Sequence, residues 1–386
     1  MKLDKKLKQL PLVKTKPTSL DHLFGEQDLQ TMWVADSDFQ IAAPIQQALM
    51  ERITDAGFGY EYKPASLFEA QRAWYKKHYG VNLVHEELLY SPSIPTTLTF
   101  VMEELTAPGD GIIIQPPVWN DFRNIIRRTK RKVEKNVLRL AASRYEIDFE
   151  DLEEKASAPA NKALIICNPH NPVGRVWTRA ELSRIVDICR RHDLLLISDE
   201  IHKDVVLFGH SFTSMLHYAN KWDKLVICTS EAKSFNLPGI LDSLAIIPNE
   251  SLRKTIVDTL KKYHLGRTNA LSRVALETAY RQGEAWLLEL RKIIEDNVLI
   301  IEEELHHARS PIKLIKPEGT FQVWLDFRAI FSDTKIMFKQ VTQNSKVALN
   351  AGHWYGREGA LFMRMNIATT GEQVRQGIRK VIGAVG

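Results

Sequence analysis

Three polar residues able to do chemistry each stand just past an apolar run. Lys233 lies in Ser230-Glu231-Ala232-Lys233-Ser234-Phe235-Asn236, after the run at 225–228. Asp199 lies in Ser198-Asp199-Glu200-Ile201-His202, after 194–197, and Asn171 in Asn168-Pro169-His170-Asn171-Pro172-Val173-Gly174, after 163–167. A lysine amine whose pKa is depressed forms a Schiff base with a carbonyl compound. A carboxylate at the end of a hydrophobic strand is costly to bury unless it meets a cation. Two prolines and a glycine make a rigid turn that fixes the amide of Asn171. Each residue also has a plainer reading: Lys233 as a solvated loop lysine, Asp199 as a helix cap or surface acid, the Asn171 stretch as a turn and nothing more. What sets them apart is that three separate loops bring an amine, a carboxylate and an amide to one edge of one sheet.

That trio is what pyridoxal phosphate requires. The lysine holds the aldehyde as an imine. The carboxylate keeps the ring nitrogen protonated, so that the ring draws electrons from the α-carbon, and the amide bonds the phenolate oxygen. Hydroxyls and backbone N–H groups around Ser230 and residues 93–97 are expected to hold the phosphate. Trp119, in Pro116-Pro117-Val118-Trp119, follows the run at 111–114 and offers an aromatic face to the ring; a tryptophan there also reads as a core residue.

These loops need a sheet to carry them. Apolar runs recur at 111–114, 163–167, 194–198, 225–228 and 244–247, with helical patterns between several of them. The clearest helix covers 181–192, with Leu182, Ile185, Val186 and Cys189 on one face, and Thr178 with Glu181 forms a capping box at its start. Strands alternating with helices predict an α/β fold with a mostly parallel, doubly wound sheet covered on both faces. Upstream, Pro44 opens a helix in which Ile45, Ala48, Leu49, Ile53 and Ala56 recur at helical spacing. Residues 66–79 read as another, with Leu67, Ala70, Trp74 and Tyr75 inward. A stripe of Leu287, Leu290, Ile294, Val298, Ile301 and Leu305 marks a helix over 284–307, long enough to bridge two domains. Residues 321–327 read as a strand beyond it. A large cofactor-binding α/β domain is therefore expected over 45–285, with 1–44 and 286–386 forming a smaller α+β domain.

Bulk properties argue against several classes. The 386 residues are 44% apolar and 26% charged, ordinary globular usage for a chain long enough for two domains. The net charge is +5 and the basic residues are scattered, which argues against nucleic-acid binding. No window approaches 18 consecutive apolar residues, so no membrane span is expected. Residues 1–16 are charged and lack the apolar core of a signal peptide. Cys167, Cys189 and Cys228 form no CxxC pair and read as buried reduced thiols of a cytoplasmic protein. No metal site is expected.

In its motifs the chain resembles the class I/II aminotransferase superfamily of pyridoxal-phosphate enzymes (fold type I). Within it, the resemblance narrows to the MalY/PatB-type cystathionine β-lyases, a C–S lyase family. The residues that carry it are the three stretches above with Met32-Trp33-Val34-Ala35-Asp36 and Phe58-Gly59-Tyr60, and it covers the chain from about residue 30 to the end. The resemblance implies that Lys233 carries the aldehyde, Asp199 pairs with the pyridine nitrogen and Asn171 bonds the ring oxygen. Trp119 stacks on the ring where the family usually has tyrosine. Ser230 and Ile94 belong to the phosphate cradle. His202, where many aminotransferases have tyrosine, either tunes the site or packs beneath it. Tyr60 reaches the phosphate of a neighbouring subunit, which implies a homodimer with shared sites. Arg364, in Phe362-Met363-Arg364-Met365-Asn366, matches the arginine that clamps the substrate α-carboxylate; its plainer reading is a surface salt bridge. Ala35 falls on the substrate side. The chain departs from the family at Ser37, usually methionine, and at Glu231-Ala232, often proline-serine. It departs again at Pro95, which has no N–H to offer a phosphate and leaves the hydroxyls of Thr96 and Thr97 to compensate.

The reaction so implied is α,β-elimination on an amino-acid substrate. The substrate amine displaces Lys233, the freed lysine takes the α-proton, and a thiolate leaves Cβ. Aminoacrylate then hydrolyses to pyruvate and ammonia. L-Cystathionine gives homocysteine, and L-cysteine gives sulfide. An aminotransferase would use the same residues up to loss of the α-proton and then aminate a 2-oxo acid. A third reading is a regulatory protein that retains the cofactor, since some members of this branch double as regulators of transcription factors.

Overall fold

The computed structural model describes residues 1, 10–240, 242–266 and 269–385. Seven strands form its larger sheet: β1 (Leu88–Ser91), β2 (Gly111–Ile114), β3 (Lys132–Lys135), β4 (Asn161–Cys167), β5 (Leu195–Asp199), β6 (Leu225–Thr229) and β7 (Ser243–Ile246). They lie in the order β1-β7-β6-β5-β4-β2-β3. The strands from β2 to β6 pair in parallel, and β7 runs antiparallel to both of its neighbours. Parallel pairing needs crossover helices that cover both faces, so such strands read as unbroken apolar runs. Every residue of β2, β5, β6 and β7 is buried. One crossover helix, Arg179–Arg191, starts at the expected capping box: Thr178 Oγ1 accepts from the Glu181 N–H at 3.2 Å, and the Glu181 carboxylate accepts from the Thr178 N–H at 2.7 Å. A cap of this kind contributes about 1 kcal/mol.

From β2 the chain turns to β3 on one side, then crosses back to β4 on the other. That reversal opens a crevice at the carboxyl ends of the strands, where open α/β sheets take their ligands. The loops bearing Trp119, Asn171, Asp199 and Lys233 leave from this edge.

A second, antiparallel sheet contains β8 (Lys313–Ile315), β9 (Gln322–Asp326), β10 (Asn350–Ala351) and β11 (Phe362–Asn366), in the order β8-β9-β11-β10. The helix Glu284–His307 joins the two cores: Leu287 packs into the core of the larger sheet, and Leu290, Ile294, Val298, Ile301 and Leu305 into that of the smaller one. Full burial of each such side chain is worth about 1.5–3 kcal/mol, so this helix anchors each core to the other. Gln30–Thr31 pairs in parallel with Val347–Ala348, bringing the N-terminal stretch to the smaller sheet. Residues 2–9, part of the N-terminal segment assigned to the smaller domain, lie outside the described residues.

One helix is shorter than its apolar spacing predicts. It covers Ala43–Thr54; Ala56 lies beyond it at φ +56°, and Ile53 is 55% exposed. The inner end of the stripe, at Ile45, is buried, while its outer end reaches the surface beside Met50.

Candidate active site

A cavity of about 490 Å³ opens at the crevice. Lys233, Asp199, Asn171 and Arg364 line it, as do Trp119, His202, Ser230, Ile94 and Ala35. Tyr60 is not brought to it: the residue is 94% exposed, away from its own chain's cavity.

Lys233 stands four residues past β6, partly buried against the cavity. Its Nζ donates to the Ala35 carbonyl at 2.6 Å. Burial lowers its pKa to about 8; Asp36 and Asp199 oppose that shift and Arg364 adds to it. A clamp holds the loop in place. The Asn236 side chain donates to the Ser37 and Phe39 carbonyls at 3.2 and 2.8 Å and accepts from the Ser37 N–H at 3.0 Å. Most of this clamp works on backbone atoms, so residue 37 enters it whatever its side chain. Asp36, next to Ala35, pairs with the buried Lys14 at 3.0 Å.

Asp199 ends β5 and is 2% exposed, so it is no surface acid. Its Oδ1 accepts from the Ile201 N–H at 3.1 Å. Burial raises its pKa to about 7, against the pull of that N–H, Lys233 and Lys203. A carboxylate placed like this ionises readily only when a cation arrives. His202 is also buried. Burial, with Lys233 and Arg364 nearby, lowers its pKa to about 3. It is therefore a neutral imidazole at pH 7, set edge-on to Phe321 with ring centroids 5.8 Å apart, and its Nδ1 has no partner among the described residues.

The Asn171 loop is fixed at several points. Gly174 takes φ +74°, and a Cβ there would lie 2.7 Å from Pro317, so only glycine suits the turn. The Asn168 side-chain oxygen accepts from the Trp177 N–H at 3.1 Å, and the Trp119 N–H donates to the Asn171 carbonyl at 3.1 Å. The second contact ties the two loops that flank the crevice. The Asn171 side-chain oxygen accepts from Arg364 Nη1 at 3.1 Å, which leaves its NH2 group to donate.

Arg364 comes from β11 and is 5% exposed. Its Nη2 donates to the Trp33 carbonyl at 2.6 Å and to Asn350 Oδ1 at 2.9 Å. Among the described residues it meets no carboxylate, and its Nε is unpartnered. This is not a surface salt bridge. A buried guanidinium without a counter-ion is costly, and a bidentate anion such as an α-carboxylate matches its geometry.

At the far end of the cavity the helix Ile94–Leu105 begins. Ser93 Oγ caps it by accepting from the Thr96 N–H at 3.2 Å. Pro95 lies in its first turn, where an N–H has no intrahelical partner in any case. The hydroxyls of Thr96 and Thr97, expected to compensate for it, bond within the helix's first turn. Thr96 turns to Ser93 Oγ at 2.9 Å and Thr97 to the Ser93 carbonyl at 3.3 Å, and neither lines the cavity. The groups that do line this end of the cavity are the helix N-terminus at Ile94 and the hydroxyl residues Ser93, Ser230 and Ser243, of the kinds that can hold an anion.

Sequence reasoning missed Asn350 and Tyr355. Asn350 faces Arg364 across the β10–β11 pair, and the Tyr355 ring lies 5.1 Å from the guanidinium. A polar residue in a buried strand was the one available signal for Asn350.

Among the described residues, an amine and a buried acid that form no ion pair, an amide NH2, a helix N-terminus and an aromatic wall fit pyridoxal phosphate in kind and number. The guanidinium beside them, which meets no carboxylate among the described residues, fits an amino acid's carboxylate. Among the described residues, no group of three or more His, Cys, Asp or Glu could hold a metal ion.

Comparison with known proteins gives the same direction. The family model "Aminotransferase class I and II" matches residues 43–381. The cystathionine beta-lyase PatB of Bacillus subtilis is 35% identical, over 100% of each chain. Protein MalY of Escherichia coli is 30% identical, over 94% of this chain and 93% of its own. The crystal structure of the PLP-bound C-S lyase from Staphylococcus hominis superposes with a TM-score of 0.92 at 29% identity, covering 100% of this chain and 97% of the other.

Proposed function

We propose that this chain, which belongs to the class I and II aminotransferase family, is a pyridoxal-phosphate-dependent carbon–sulfur β-lyase. Its substrate class is L-cystathionine and related S-substituted cysteines, and its products are a thiol, pyruvate and ammonia. The observation that carries this reading is the convergence of Lys233, Asp199, Asn171 and Arg364 on one cavity, in a chain that matches a cystathionine beta-lyase over its full length.

Bound there, pyridoxal phosphate supplies an aldehyde and an electron-accepting ring. Lys233 would hold the aldehyde, Asp199 the protonated ring nitrogen and Asn171 the ring oxygen. Trp119 would cover the ring face, and Ile94 with Ser230 would hold the phosphate. His202, neutral, would pack beneath the ring as a shaping group rather than as an acid. Arg364 would grip the substrate α-carboxylate and so fix Cα against Lys233 Nζ. With a pKa near 8, that amine is partly unprotonated near neutral pH, as a general base must be. Once the substrate amine has displaced it, Lys233 takes the Cα proton, the pair left on Cα forms the Cα–Cβ double bond as the C–S bond breaks with its pair leaving on sulfur, and the lysine ammonium can return the proton to the departing thiolate. Water hydrolyses the released aminoacrylate to pyruvate and ammonia.

We further assign Tyr60 to a partner's site within a homodimer. Support comes from its 94% exposure beside exposed Met50, Ile53, Phe58 and Tyr62, an apolar surface of the kind that marks an interface. Residues 45–285 are taken as the cofactor-binding domain, and 1–44 with 286–386 as the smaller one. No helix of the described residues is long and apolar enough to cross a membrane, and three free buried cysteines suit the reducing cytoplasm.

The experiment that tests this function sets two incubations side by side. One holds enzyme, cofactor and L-cystathionine without a 2-oxo acid; the other holds an amino donor with a 2-oxo acid. Thiol and pyruvate in the first support the lyase, and amination in the second alone would replace it with an aminotransferase.

A further inference from the structure

Beneath the loops that carry Asp199 and Lys233 lies a buried charge cluster that the elimination does not use. The Lys203 side chain is fully buried; its Nζ donates to Thr229 Oγ1 at 2.7 Å and to Glu231 Oε1 at 3.4 Å, and lies 3.7 Å from Asp204 Oδ2. The Tyr280 hydroxyl donates to Glu231, and the Ser234 and Tyr79 hydroxyls donate to Asp204. Trp74 Nε1 adds a further bond to Asp204 at 3.2 Å. Burial opposes the charge on Lys203, but Tyr75, Glu231, Asp204 and Glu200 outweigh it and hold its pKa above the ordinary lysine value.

The placement of this cluster is specific. Lys203 follows His202 in the loop that leaves β5 at Asp199. Glu231 precedes Lys233 by two residues, and Ser234 follows it. One ammonium therefore fastens the two loops to each other, next in the chain to His202 and Ala232, which line the cavity. As a source of stability a buried ion pair is poor, since well-packed apolar residues do as well or better. Here it ties the loop after β5 to the loop after β6.

We propose that Lys203 and Glu231 are positioning residues that set the Lys233 amine relative to Asp199 for capture of the cofactor aldehyde. This rests on the cofactor reading above. The test compares the parental protein with Glu231→Gln and with the double variant Lys203→Met/Glu231→Gln, which removes both charges together. Apoproteins are mixed with pyridoxal phosphate, and the growth of the visible absorption band and the visible circular dichroism of bound cofactor are followed. Thermal unfolding of each apoprotein is recorded alongside.

In the double variant the band should grow about tenfold more slowly, the cost expected when a group that orients a reacting residue is lost. Its visible dichroism should be smaller, and Glu231→Gln, which leaves Lys203 to Asp204, should keep an unfolding temperature near the parental one. Glu231→Gln should show the same slowing in weaker form, and Lys203→Arg, which keeps the charge, should recover the parental rate. Parental rate and dichroism in a folded double variant, or in Glu231→Gln if the double variant does not fold, would overturn the positioning role alone. A parental protein that forms no visible band would overturn the cofactor reading and this proposal with it.

Discussion

Arg364 Nη1 donates to the side-chain oxygen of Asn171 at 3.1 Å, joining the smaller sheet to the loop after β4 of the larger one. On the function proposed above, the group that would meet the substrate thus also orients the amide that would meet the cofactor ring. A change at the guanidinium would therefore reach both.

Arg364→Lys should therefore do more than weaken binding. Loss of a bidentate, charge-assisted contact costs about 1.5–3 kcal/mol, so kcat/KM should fall about 10- to 100-fold. The visible spectrum of the holoprotein should shift as well, because Asn171 loses a partner. Steady-state kinetics and an absorption spectrum check both; an unchanged kcat/KM would remove Arg364 from the substrate site.

Lys233 carries a cost in the apoprotein that depends on pH. Its folded pKa is about 8, against 10.5 for an ordinary lysine. Below pH 8 both states are protonated and the cost of the buried charge is complete. Between about pH 8 and 10.5 the unfolded chain binds the extra proton, so parental stability rises with pH. Lys233→Met should stabilise the apoprotein by up to roughly 3 kcal/mol near pH 7, and the gain should vanish towards pH 10.5. Urea unfolding across that range measures it, and a pH-independent difference would contradict the assignment.

For Asp199 the sign is opposite. A carboxyl with its folded pKa raised to about 7 keeps its proton in the native state while the unfolded chain loses it above about pH 4. Its contribution therefore declines as pH rises from 4 to 7. Asp199→Asn should become progressively more stable than the parental apoprotein over that window. Its kcat/KM should nonetheless fall by about 100-fold or more, because the amide cannot hold a ring proton. Parental turnover in Asp199→Asn would remove this residue from the site.

Tyr60→Ala should leave the fold of the single chain unchanged, since the side chain is almost wholly exposed, yet weaken cofactor binding by about tenfold. Hybrid dimers of Tyr60→Ala with Lys233→Ala should regain activity, since one of their two sites has both residues intact. Verified hybrids without activity would refute shared sites.

The larger sheet was legible because burial on both faces turns its strands into plain apolar runs. The sites of Asn171, Asp199 and Lys233 followed, since each sits where such a run stops. Other features left no trace in local pattern. The helix Ala43–Thr54 was drawn too long because Ile53 and Ala56 keep helical spacing, although Ala56 has left the helix and Ile53 faces outward. Thr96 and Thr97 looked available to a phosphate, but their hydroxyls satisfy the cap and the neighbouring Ser93 instead. Lys203 and Glu231 stand 28 residues apart in the sequence, and only the fold sets them 3.4 Å apart.

The central claim is that Lys233, placed by these loops, drives elimination at a carbon–sulfur bond. Its most direct test is to incubate holoenzyme with L-cystathionine, without any 2-oxo acid, and to count pyruvate and free thiol against enzyme. The account predicts many turnovers with pyruvate and thiol in equal amounts, and none in Lys233→Ala. Equal products from Lys233→Ala at the parental rate, or no thiol from the parental enzyme, would contradict it.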